Sequence, residues 1–145
     1  MTTLVTRGEE ETRSAGRSFA GELRPGDVVA LHGDLGAGKT RFVQGVCLGL
    51  GIDAHVASPT FTLVHEYAAG TLTVFHFDCY RIRTIDEMIE LGFEDYLRAD
   101  AICLIEWSEK IEQLLPGDRI DITIRMGSSE HDREITILRH DRAAA

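Results

Sequence analysis

The chain has 145 residues, 43% of them apolar, and a formal net charge of −9 from 15 basic and 24 acidic side chains. That length suits a single domain, residues 1–145, able to bury about 70% of its unfolded-chain surface without disulfides or a structural metal. The acid excess speaks against a broad basic face for direct nucleic-acid binding, and the three cysteines, Cys47, Cys79 and Cys103, lack the spacing of a metal site and read as reduced core thiols.

Taken in order, residues 2–6 suit a short edge strand. From Glu9 to Leu23, the residues Ala15, Phe19 and Leu23 recur every four positions, the stripe of an amphipathic helix, with Glu9, Glu10 and Glu11 in its first turn where the dipole favours acids. These N-terminal charges leave no signal-peptide core, and no run reaches the length of a membrane span, so a cytoplasmic location is expected. Arg24-Pro25-Gly26-Asp27 predicts a turn into a buried strand, Asp27 to His32.

Gly33-Asp34-Leu35-Gly36-Ala37-Gly38-Lys39-Thr40 follows and matches G-x-x-x-x-G-K-[ST]. Glycines let successive backbone N–H groups point into one nest around phosphates, a lysine reaches the β and γ phosphates, and the hydroxyl can ligate Mg2+. A Gly-rich turn could carry the same letters by chance, so context decides. Phe42, Val43, Val46, Cys47 and Leu50 have helical spacing after the loop, which would aim a helix N-terminus at the anion. Gly49 and Gly51 should end that helix.

Ser58-Pro59-Thr60-Phe61-Thr62 is read as a hydroxyl-rich loop, with Thr60 either sensing a γ-phosphate or capping local backbone. Strands 62–67 and 71–78, joined at Ala69-Gly70, predict a hairpin. Thr84-Ile85-Asp86-Glu87 spells a capping box before a helix with Ile85, Met88 and Ile89 on its apolar face and Gly92 as its stop. Residues 93–97 suggest another helical turn. Ala101 to Ile105 is continuously apolar, as in a strand buried on both faces. Ser108 is expected to cap a helix bearing Ile111, Leu114 and Leu115. Residues 120–124 and 134–138 alternate with period two and should pair, and 141–145 reads as a frayed tail.

A phosphate loop needs acids for its metal and water. Glu106 and Asp78 follow strand patterns, where ligands of α/β sheets bind. Glu106 resembles the acid ending a Walker B strand. Arg81 and Arg83 could stabilise phosphoryl charge or sit on the surface. Trp107, the sole tryptophan, is expected to pack in the core, and His32 to be a half-buried strand residue. Asparagine is absent from the sequence, which excludes the N-K-x-D guanine-reading signature and favours ATP.

The set G-D-L-G-A-G-K-T (33–40), S-P-T-F-T-L-V-H-E-Y (58–67), H-F-D-C-Y-R (76–81), E-L-G-F-E-D-Y-L (90–97) and I-E-W-S-E-K (105–110) resembles the bacterial TsaE family along nearly the whole chain. The resemblance implies an α/β, P-loop NTPase-like three-layer fold whose central sheet mixes parallel and antiparallel strands. It implies a MgATP-hydrolysing subunit, slow alone, for threonylcarbamoyladenosine modification of tRNAs reading codons that begin with A. TsaB-type and TsaD-type transferase partners would carry the tRNA contacts. Asp34, Leu35, Gly36, Ala37, Gly38, Lys39 and Thr40 would hold phosphates, Thr40 and Glu106 would serve Mg2+, and Asp78 and Thr60 would belong to the same site, with Glu106, Asp78 and Lys39 as its catalytic residues. Glu9 and Arg133 would flank the base or phosphates. The family often has Pro where this chain has Ser108, a departure expected to touch only the following cap. A small-molecule or nucleotide kinase and a nucleotide-dependent binding module remain open beside this reading.

Overall fold

A computed structural model describes residues 1–33, 38–52 and 63–140. Its centre is a seven-stranded sheet of β1 (Thr2–Thr6), β2 (Val28–His32), β3 (Val64–Ala69), β4 (Leu72–Asp78), β5 (Ile102–Glu106), β6 (Ile120–Met126) and β7 (Arg133–Arg139), in the order β1-β7-β6-β2-β5-β4-β3. The middle strands β6, β2, β5 and β4 run parallel, whereas β7 on β6, β1 on β7 and β3 on β4 are antiparallel. This is the mixed sheet the resemblance implied.

Two helical layers cover it. On one face α1 (Glu9–Ala20) and α2 (Lys39–Gly49) bury Phe19, Phe42, Val43 and Val46 against Val29, Leu31, Val74, Leu104 and Ile122. On the other, α3 (Ile85–Leu91), α4 (Phe93–Arg98) and a 3-10 helix (Ser108–Leu114) set Met88, Phe93 and Ile111 against Phe75, Phe77, Cys103 and Ile105. All five residues of β5 are buried, as expected of a strand with helices on both faces.

Backbone contact knits α1 to α2. A Cβ on Gly16 would stand 2.2 Å from the Phe42 carbonyl oxygen, and one on Gly45 only 1.9 Å from that of Arg13. Helices this close leave no room for side chains between them, so these glycines set the interhelical distance.

Several expectations shift. Helix α1 stops at Ala20, three residues short of Leu23, and β3 begins at Val64 rather than residue 62. The capping box forms, with the Glu87 carboxylate accepting the Arg83 and Thr84 amides at 2.6 and 3.2 Å. Met88 is buried, but Ile89 is 57% exposed, because the short α3 turns a narrower stripe inward than its apolar residues spell. Ser108 does not cap: its hydroxyl donates to the Leu31 carbonyl at 3.3 Å, and Trp107 stands at the cap position of a 3-10 rather than an α-helix.

Candidate functional site

Helix α2 starts where β2 ends, and Gly38 at its N-cap has φ of +101°, a left-handed conformation that a side chain would strain. Lys39 and Thr40 form the first turn. The Lys39 side chain is buried; its Nζ donates to the Gly33 carbonyl at 2.5 Å and lies 3.4 Å from the centroid of the Trp107 ring, within cation–π range. Trp107 therefore joins the loop lysine rather than the core alone. Its φ of +57° is left-handed, unusual for a bulky residue, and this turn directly after β5 lets the ring lie over Lys39. The ring also meets Tyr80, with centroids 4.9 Å apart.

The acids are brought together by register. Asp78 and Glu106 are partners across the parallel β4–β5 ladder, at the carboxyl ends of both strands, and alternation places them with Leu104 on the face covered by α2. Asp78 Oδ1 accepts the Tyr80 amide at 2.9 Å. Glu106 is 2% exposed, and its Oε2 accepts a hydrogen bond from His76 Nε2 at 2.5 Å. Among the described residues no three His, Cys, Asp or Glu side chains are grouped to hold a metal. The donors present, a threonine hydroxyl and carboxylates, are hard oxygen donors of the kind that shares Mg2+ with substrate phosphates.

Glu9 and Arg133 both reach the loop side of the fold. With Gly8, Thr12, Gly38, Arg41 and His131 they line a small cleft. Arg133 passes within 4 Å of the space a Gly38 Cβ would fill, as does Thr12, and Glu9 pairs with Arg41 at 3.5 Å. Arg81 and Arg83 lie on the surface. Asp34, Leu35, Gly36, Ala37 and Thr60 lie outside the described residues.

Sequence reasoning missed Thr12, Arg41 and the role of His76. Only the last had a usable signal: His76 and Asp78 stand two apart on one strand and so share a face.

At the end of β2, His32 meets Glu109 at 3.3 Å and Asp121 at 3.2 Å. The hydrogen bond to Glu109 raises its pKa above the ordinary 6.5; burial opposes this and Asp121 adds to the rise. Burial works against the Asp121 carboxylate, yet hydrogen bonds from Arg119, His32 and His140 hold its pKa below the usual value.

A family model described as threonylcarbamoyl adenosine biosynthesis protein TsaE matches residues 6–135. The chain belongs to the TsaE family. Its relatives include proteins named tRNA threonylcarbamoyladenosine biosynthesis protein TsaE from Bacillus subtilis and Treponema pallidum. The first is 44% identical over 90% of this chain and 81% of its own length, the second 38% identical over 92% and 97%. A crystal structure of Bacillus subtilis YdiB superposes with a TM-score of 0.81 at 37% identity, covering 98% of this chain and 87% of that one. Among the described residues of this TsaE-family chain no helix is long and apolar enough to cross a membrane.

Proposed function

We propose that this chain is a cytoplasmic, Mg2+-dependent ATPase of tRNA threonylcarbamoyladenosine biosynthesis, acting with TsaB-type and TsaD-type partners. The reading is carried by the convergence of Lys39 with Trp107 and the neighbouring Glu106, joined by Asp78 across the ladder. The names of the relatives supply the pathway.

In this reading the loop motif and the N-terminus of α2 receive the phosphate chain, and Lys39 exchanges the Gly33 carbonyl and Trp107 ring for phosphate oxygens. The Thr40 hydroxyl and the Glu106 carboxylate hold the Mg2+, which when bound neutralises charge on the phosphates. Asp78, which accepts the Tyr80 amide, would orient water, and Thr60 would complete the site. Glu9 and Arg133 border the nucleotide beside Gly38. The acid excess of the chain suits a subunit that leaves tRNA to its partners.

ATP turnover by the purified chain, alone and with both partners and tRNA, tests this. Slow turnover alone and faster turnover in the complex are expected, with Glu106→Gln retaining nucleotide binding while losing hydrolysis. Fast turnover indifferent to partners, or tRNA modification that continues with Glu106→Gln, would overturn it.

A further inference from the structure

His76 is fully buried in the middle of β4, between Leu104 on β5 and His65 on β3. Its Nε2 lies 2.5 Å from Glu106 Oε2, while its Nδ1 has no hydrogen-bond partner among the described residues. Buried polar atoms are rarely left bare, and the neighbouring positions on this face, Val74 and Leu104, are apolar. An aliphatic side chain would fill the space without an orphaned nitrogen.

The bonding pattern fixes what the ring contributes. An ionised carboxylate only accepts, so Nε2 is the donor to Glu106. The Tyr67 ring, tilted 36° with centroids 6.2 Å apart, packs beside the imidazole. The ring therefore offers one directed N–H bond, aimed at one oxygen of Glu106, and nothing else. A carboxylate held by one oxygen has lost its rotational freedom while its second oxygen remains for another partner.

We propose that His76 is the positioning residue of the nucleotide site, orienting Glu106 so that its second oxygen meets Mg2+ accompanying the nucleotide. This rests on reading Glu106 as the Mg2+-side acid. It predicts a defect confined to the metal, because on that reading the nucleotide itself is gripped by the loop and Lys39.

The test compares the full chain with His76→Gln, His76→Asn and His76→Leu. The Gln amide carries an N–H out to the level of Nε2, whereas the Asn amide reaches only to Nδ1. Calorimetry with a non-hydrolysable ATP analogue, in Mg2+ and in EDTA, gives two affinities per protein, and their ratio is the gain from Mg2+. His76→Asn and His76→Leu should lose about tenfold of that gain with EDTA affinity unchanged, and His76→Gln should restore it. The Mg2+ concentration for half-maximal turnover should rise in parallel, with kcat recovering at saturating Mg2+.

A wild-type ratio in His76→Asn and His76→Leu would overturn the role, as would equal losses with and without Mg2+ or a His76→Gln as defective as His76→Leu. Should His76→Leu fail to fold, the contrast between the two amide variants decides the question by itself. Wild-type protein that binds no nucleotide at all would reject the nucleotide reading and this role with it; Mg2+-enhanced wild-type binding with unaltered variants rejects the positioning role alone.

Discussion

Gly45→Ala tests the claim that backbone contact between α1 and α2 sets the geometry of the cleft. The new Cβ would stand 1.9 Å from the Arg13 carbonyl oxygen, and 2.8 Å from its carbon, against 3.4 Å for an ordinary contact. The difference, 3.4 minus 1.9, requires the helices to part by about 1.5 Å. No side chain can swing aside, since the obstacle is the backbone of a helix. Overpacking of this kind costs roughly 3 kcal/mol at the upper end of the usual range, and better helix propensity returns about 1. A net loss of about 2 kcal/mol follows. With about 2.1 cal/mol/K of unfolding entropy per residue, 145 residues lower the melting temperature by about 7 °C. Parting the helices also carries Glu9 and Thr12 away from Gly38, so nucleotide affinity should fall in the surviving folded protein. Scanning calorimetry measures the first effect, and titration of Trp107 fluorescence the second. Gly21→Ala is the control, at a helical φ of −64° with only a 3.4 Å contact, expected to be neutral or slightly stabilising. A Gly45→Ala protein melting with the wild type would refute the close-packing argument.

Three further outcomes are expected. If Lys39 serves phosphate as proposed, Lys39→Ala removes a charge-assisted contact and costs about 1.5–3 kcal/mol in nucleotide binding with the fold retained; unchanged calorimetric affinity would contradict the site. Burial pushes the thiols of Cys47, Cys79 and Cys103 up to about 12, so a thiol reagent at neutral pH should label none in native protein and all three after denaturation. Because the folded-state pKa of His32 is raised, its stabilising contribution is complete below its ordinary value of 6.5 and fades as pH rises through the folded value. Urea midpoints should therefore separate wild type from His32→Gln more at low pH than at high pH within the neutral range, and an equal gap throughout would count against the Glu109 and Asp121 contacts.

What could be read from the chain was whatever rests on local periodicity. Five buried residues in β5, the alternation in β6 and β7, and the capping box at Thr84 each follow from spacing along one segment. The loop motif and strand-end acids located Lys39, Asp78 and Glu106 for the same reason. Legibility failed where partners are distant in sequence. Nothing near Ser108 announces that its hydroxyl will be drawn to Leu31, or that Trp107 will adopt a left-handed turn to reach Lys39. Gly45 looks like a weak point of a helix until α1 is laid against it. His76 reads as one more strand residue until register sets Leu104 opposite it and Glu106, two residues on, within reach of its ring.

The first and last described strands are partners: Thr6 on β1 faces Arg133 on β7. The cleft beside Gly38 takes Glu9 from just after the first and Arg133 from the start of the second. During synthesis α2 and the strands β2, β4 and β5 emerge before β7, so the growing chain presents the Gly38 side of the cleft with its Arg133 wall missing. Until then β1 waits unpaired, a sheet edge open to wrong partners. Completion of the chain and completion of the cleft are one event.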